Sequence, residues 1–307
     1  MKQQTVFWHM IPLMGIGLFL CFPGPAQTGV RSGLELCGKA LIPSLFPVSV
    51  LSGCLIRMHA AGGSARWSGR IMQQLFGLPG QAAVPLLLGL LGGFPLGAQL
   101  SASACEAGLL SKREAARLAG LSCNAGPAFL LGTLGAILAV PSIGMALLVI
   151  QLLSAGLTGF LLRKPIEQSR LLPKRTAQQP LAFTAVLPQC ISQSAVAMLR
   201  LTGTVAFFQA LISCMTALLP LSALPPLWQA GISGSLELTG GLVLLQAELH
   251  PATLPLFAAL IGWGGVCVHL QAAQALSAAG IPIGPYLRHK AIQSGISLIL
   301  SIFFFSI

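Results

Sequence analysis

Gly262-Trp263-Gly264-Gly265-Val266-Cys267-Val268-His269-Leu270-Gln271 decides how the whole chain is read. It interrupts an otherwise apolar run from Ala252 to Ala279 with three glycines, then sets a histidine and a glutamine inside that run. Glycine loosens a helix because it has more backbone freedom to lose than any other residue. Loosened backbone at membrane depth is tolerated only where protein buries it or where it lines a cavity. Polar side chains at that depth are costly and usually functional. The stretch is therefore expected to form one wall of a substrate site, and similar interruptions elsewhere should supply the other walls.

Composition makes the rest of the chain a membrane protein. Of 307 residues, 55% are hydrophobic and only 7% are charged, against about 25% charged in soluble domains. Apolar segments long enough for a bilayer recur along the whole length, leaving no room for a soluble domain. The net charge of +11 invites a nucleic-acid reading. The basic residues, however, sit in short loops between apolar segments, as the positive-inside rule requires, and no nucleic-acid partner is expected. Aspartate is absent, which excludes an aspartyl intramembrane protease and any Asp-based metal site. The eight cysteines form no CxxC pair and read as small buried hydrophobes. No metal or cofactor is expected apart from a coupling Na+ or H+. There is no GxxxxGK[ST] phosphate loop for an energised pump.

Charge sets the topology. Met1 to Phe22 reads as an uncleaved first span with its N-terminus inside, although a lysine followed by an apolar run also fits a signal peptide. Ser32 to Ile56 is a second span, kinked by Pro43 and Pro47. Gln81 to Leu110 is broken by Gly92-Gly93-Phe94-Pro95-Leu96-Gly97-Ala98-Gln99, and it can be drawn as one broken span or as a re-entrant hairpin. Both of its flanking loops are basic, Arg57 to Arg70 and Lys112 to Arg117; a hairpin keeps both inside. Ala115 to Val140 then crosses outward through the interruption Ser122-Cys123-Asn124-Ala125-Gly126-Pro127, and Ile143 to Leu162 returns.

The second half repeats the order. Leu181 to Leu219 is long for one span, so its start can lie along the interface. Leu227 to Leu249 is broken at residues 234–241 and enters as a hairpin from outside. The opening stretch crosses inward, and His289 to Ile307 runs outward. All basic residues except Arg31, Lys39 and Arg200 then fall on the inner face. The predicted organisation is an N-terminal membrane helix over 1–30, a first repeat over 31–162, a basic linker over 163–180 and a second repeat over 181–307. The fold class is an all-α polytopic membrane protein with an inverted repeat, each half being span, re-entrant hairpin, broken helix and span. Many secondary transporters share this plan, with the site where broken helices meet.

Five stretches resemble the YlbJ (SpoVV) type of sporulation integral membrane protein: Cys37-Gly38-Lys39-Ala40-Leu41-Ile42-Pro43-Ser44-Leu45-Phe46-Pro47, residues 89–98, Cys123-Asn124-Ala125-Gly126-Pro127-Ala128-Phe129, Leu236-Glu237-Leu238-Thr239-Gly240-Gly241, and the opening stretch with His269 and Gln271. That family belongs with the nucleoside-recognition, or Gate, proteins, which are similar to concentrative nucleoside transporters. The resemblance implies a membrane protein of a spore-forming bacterium, in the cell membrane or the outer forespore membrane, that moves dipicolinate towards the forespore.

The candidate substrate-binding residues are Lys39, Gly93, Gln99, Asn124, Arg200, Glu237, Thr239, His269 and Gln271. Half-helix N-termini at the two hairpin tips suit a carboxylate. Asn124 and Gln271 can each donate and accept. Lys39 and Arg200 break the charge pattern and either face the cavity, pairing with an anionic substrate or with Glu237, or snorkel to an interface. Glu237 is a coupling-ion site or a salt-bridge partner, and His269 carries a proton or merely bonds to a carbonyl. The expected partners are a small anionic solute and the bilayer; a homo-oligomer is compatible with this. Rival readings are a nucleoside carrier, a non-transporting scaffold or channel subunit of a sporulation complex, and a rhomboid-like protease using Gly231-Ile232-Ser233-Gly234 with His269. Four-residue patterns of that kind recur by chance in Gly/Ser-rich helices, so no enzyme is expected.

Overall fold

The computed structural model describes residues 2–59, 65–138, 140–164, 182–219 and 223–305. The side chains of Lys2, Arg57 and Arg66 lie outside that description, as do Arg170, Lys174 and Arg175 and all of the basic linker beyond Lys164. Among the described residues every regular element is a helix.

The first half begins with α1 (Lys2–Cys21) and α2 (Pro23–Leu36), which a π-helical turn over Cys37–Leu41 joins to α3 (Ile42–His59). Pro23-Gly24-Pro25 lies between the expected spans Met1 to Phe22 and Ser32 to Ile56, but it starts α2, because proline in a first helical turn forfeits no hydrogen bond. The boundary expected at residue 31 therefore falls inside a helix, and the span extends over Pro23–Leu55. The wide π turn sits just before Pro43, whose ring would strike the carbonyl four residues back in a regular helix. After α4 (Ala65–Phe76) come α5 (Ala83–Gly92) and α6 (Leu96–Glu106), folded back to back, then α7 (Lys112–Ser122). Residues 123–126 are non-helical. A π-helical segment over Ala128–Leu134 and the short α8 (Gly135–Leu138) follow, and α9 (Pro141–Leu161) closes the half.

The second half has the same order: α10 (Phe183–Leu218), the pair α11 (Pro226–Leu236) and α12 (Leu238–Gln246), the broken α13 (Leu254–Trp263) and α14 (Gly265–Ala278), and α15 (Gly284–Phe305). No interfacial start separates from α10, which is one helix of 36 residues. Among the described residues, four helical segments are long and apolar enough to cross a membrane: Pro23–Leu55, Pro141–Leu161, Phe183–Leu218 and Pro251–Ala278. A polar buried face on α15, described below, lowers its hydropathy.

Small residues let these helices approach closely, as they do in membranes where lipid supplies no hydrophobic drive between helices. A Cβ on Gly29 or Gly33 of α2 would fall 2.5–2.6 Å from the Cα of Ala210 or Ala206 on α10. Gly262 of α13 lies against Ser294 and Ser297 of α15, and Gly120 of α7 lies against the His289 ring.

Side chains also fix which helix ends share an end of the bundle. Arg117 of α7 donates to Gly77 O ahead of α5 (3.1 Å) and to Lys164 O after α9 (3.3 Å). Arg163 donates to Gln74 O at 2.8 Å. Lys112 packs on Gly280, in the turn between α14 and α15. The first hairpin is thus entered and left beside these basic residues. The α12 end of the second hairpin lies elsewhere: Gln246 donates to Ile137 O of α8 at 2.6 Å.

Candidate functional site

The four interruptions converge. Gly93, at the tip between α5 and α6, has φ +75°. A Cβ there would meet Gly126 N at 2.8 Å and Asn124 O at 3.3 Å, so this tip rests directly on the break after α7. On the other side, Gly265 has φ +84°, and its Cβ would lie 3.2 Å from Gly234 O and Leu236 O at the tip of the α11–α12 hairpin. Trp263 strengthens that contact by donating to Ser235 O at 3.2 Å. Each hairpin tip therefore seats on the broken helix of its own half. The halves meet at Phe94, whose ring lies 3.1 Å from where a Gly264 Cβ would stand. Positive φ and backbone-to-backbone contact are both conditions that glycine meets at least cost.

Between these elements lies a narrow recess, with a cavity volume of about 40 Å³. Its walls are Leu41 and Leu45 from the first long helix, Leu201 and Val205 from α10, Phe94 and Phe129, and the backbone of Gly126. The second half supplies the polar part with Glu237, Thr239 and Gln271, beside Leu238, Cys267 and Val268. Mostly apolar walls with a few polar groups are the usual composition of a small-molecule site, and a solute larger than a water or two enters this one only when its walls move apart.

Five of the nine expected residues are at these contacts. Glu237 is 2% exposed and fills its own helix N-terminus: its carboxylate accepts from Thr239 N (2.9 Å), Gly240 N (2.7 Å) and Gln209 Nε2 (2.7 Å). The free N-terminus expected at that tip is consequently occupied by a carboxylate from the chain itself. Thr239 lines the recess. Gln271 lines it too, with Nε2 near Cys267 Sγ and a buried Oε1 that has no hydrogen-bond partner among the described residues. Gly93 and Asn124 form the wall behind Gly126.

The other four lie elsewhere. His269 turns away from the recess: Nδ1 pairs with Tyr286 Oη at 3.1 Å, and Trp263 packs edge-on at 4.3 Å between ring centroids. Gln99, in α6, is half-buried and is not among the lining residues. Lys39 and Arg200 are exposed. Lys39 is paired with Glu35 one turn earlier on the same surface, at 3.1 Å. Neither cation faces the cavity, so the expected pairing with a bound anion or with Glu237 is not formed. A long side chain on an apolar helix surface can carry its charge outward instead. Ser233 of the GxSG pattern is buried, and no hydrogen bond joins it to His269 among the described residues.

A deeper polar cluster was not anticipated. Lys290, counted with Arg288 on the inner face at the start of the last helix, has 0% exposure. Its ammonium donates to Cys123 O (3.0 Å), Asn124 Oδ1 (2.9 Å) and Gln293 Oε1 (2.8 Å). Gln293 and Gln151 also donate to Asn124 Oδ1, at 2.7 and 3.0 Å. Ser297 reaches Ser154 at 2.8 Å. The signal was in the spacing: Tyr286, Lys290, Gln293, Ser297 and Ser301 form one stripe of α15, and all five are buried.

No family model matches the chain, and no solved structure matches it. Over 106 residues it is 32% identical to the sporulation integral membrane protein YlbJ of Bacillus subtilis. The match covers 33% of this chain and 25% of that protein, so the chain aligns with about a quarter of the relative's length. Together with the apolar helices described above, this similarity makes the chain an integral membrane protein.

Proposed function

We propose that the chain is a secondary carrier, not an enzyme, that moves a small organic anion across the membrane of a sporulating cell. The observation that carries this is the meeting of two hairpin tips and two broken helices around one recess. Irregular backbone inside a membrane has to be buried or to line a cavity, and carriers place their substrate sites where discontinuous helices meet. On this reading the halves are an inverted repeat, one hairpin opening beside the basic residues and the other towards the end of α8.

Two features favour an anion. The first turn of α14, with Cys267 and Val268, borders the recess, and among the described residues no side chain caps its N-terminus at Gly264. That end of a helix carries partial positive charge and free N–H groups. The Lys290 ammonium lies 5.6 Å from the Phe94 ring centroid, behind the wall. Gln271 can satisfy its free Oε1 with a substrate donor or turn its amide to offer N–H. Dipicolinate is the solute suggested by family resemblance and by the sporulation relative, and the membrane is then the cell membrane or the outer forespore membrane. Glu237 favours a second reading, because a carboxylate in the lining suits a neutral polar ring such as a nucleoside better than a dicarboxylate.

Flux into proteoliposomes, with labelled dipicolinate or uridine and with or without a sodium or proton gradient, separates the two. Saturable dipicolinate flux is expected. Gln271→Leu should raise its KM roughly tenfold, about 1.4 kcal/mol of lost binding. Uridine flux alone establishes the nucleoside reading, and flux of neither solute leaves a non-transporting membrane component.

A further inference from the structure

We infer that Lys290 is a built-in cation: its ammonium fills a three-oxygen site at the broken end of α7 that would otherwise take a monovalent coupling ion. The inference rests on the carrier reading for its consequence, namely that transport needs no sodium.

The geometry is that of a desolvated ion among neutral oxygens. The three N–H donors of the ammonium meet three acceptors, a backbone carbonyl and two side-chain amides, at 2.8–3.0 Å. The backbone acceptor, Cys123 O, closes α7, where the last carbonyls of a helix lack intrahelical partners and carry partial negative charge. Unwound carbonyls and half-helix C-termini are where a carrier of this architecture holds its coupling cation. No carboxylate shares the site: among the described residues the one ion pair is Lys39–Glu35, and Glu237 is spent on α12 and Gln209. A fully buried ammonium without a counter-charge is expensive. The surrounding oxygens offset that cost as filter carbonyls do for potassium. Ammonium and potassium are of similar size, so the cluster suits either. The long stem from α15 also tethers that helix to the α7 break, the contact a mobile ion would have to make and release.

The test uses the whole protein in detergent and in liposomes. Lys290→Ala leaves the three oxygens facing an empty channel the length of the lost side chain, whereas Lys290→Met keeps the volume filled without charge. Melting is followed in choline, sodium, potassium and n-propylammonium chloride. The expected result has three parts: wild type melts alike in all four salts; Lys290→Ala melts lower in choline and recovers much of the loss in potassium or propylammonium; Lys290→Met melts lower and does not recover. Lys290→Ala that matches wild type in choline, or ignores every cation, overturns the inference. Should Lys290→Ala give no folded protein, wild type decides. Sodium-stimulated flux or a sodium-raised melting temperature overturns the inference, and indifference to sodium in both supports it. Cation rescue of Lys290→Ala alongside a wild type that moves neither dipicolinate nor uridine would keep the Lys290 assignment and remove the carrier reading.

Discussion

Asn124 Oδ1 accepts from Lys290, Gln293 and Gln151 at once, while Asn124 Nδ2 donates to Leu121 O at 2.7 Å. One carbonyl oxygen has two lone pairs, so the three donors share it and the charged one dominates. Asn124→Ala should therefore cost about 2–3 kcal/mol, since it strips a partner from a buried ammonium and from two buried amides. Chemical unfolding in detergent would measure this, and a loss no larger than that of an ordinary surface change would remove Asn124 from the centre of the cluster. Arg200→Gln, on an exposed face, should leave both unfolding and flux unchanged. Asn124, Glu237, Thr239 and Gln271 were legible because each is a polar residue at a break in an apolar run. Lys290 was not, because charge counting places a cation at the inner face whenever another cation and a helix boundary lie close by. Only the helical spacing of its polar neighbours separates the two cases. The misreading of Lys39 has the opposite origin: an isolated lysine in an apolar segment looks like a site residue until Glu35, one turn away, is seen beside it on the same exposed surface.

The four elements that build the site depend on glycine where backbones touch. In the second hairpin a Cβ on Gly241 would collide with Gly234 Cα and N, while Gly231, one turn before Gly234 on α11, has open space around it. Gly241→Val should force α11 and α12 apart and lift the 236–238 tip from Gly265. Overpacking of this kind costs about 1–3 kcal/mol, so a lower melting temperature with loss of substrate flux is expected. Gly231→Ala should leave both intact; equal damage from the two would mean that helix propensity, not the crossing, is what matters. Sequence located every interruption, because broken periodicity and clustered glycine are local signals. It misjudged where helices start. Pro23 and Pro25 fall between two expected spans and serve as a helix N-terminus, and the 36 residues of α10 exceed one bilayer crossing yet form a single helix. How a helix continues past such points is set by its packing, here against α2, which no local pattern contains.

At the scale of the whole chain the halves are distinguished by where their hairpins open. The first opens beside Arg117, Arg163 and the Lys164 carbonyl; the second has its α12 end at Ile137 of α8, while the turn after α14 lies under Lys112. If α7, its break and α8 together cross the bilayer, these two groups of contacts lie at opposite faces, and the positive-inside rule makes the group rich in arginine and lysine the inner one. A chain built this way would expose both ends of one hairpin to the cytoplasm and both ends of the other to the far side, as charge counting suggests. With the native cysteines replaced, single cysteines at Gln81, Lys112, Trp228 and His250, all exposed positions, should divide into two pairs. Gln81→Cys and Lys112→Cys are expected to react with an impermeant maleimide only in inverted vesicles, and Trp228→Cys and His250→Cys only in intact cells. Labelling of Gln81→Cys and Lys112→Cys from opposite faces would make the α5–α6 segment a single crossing. The inverted relation between the halves, and the two-sided site it implies, would then be lost.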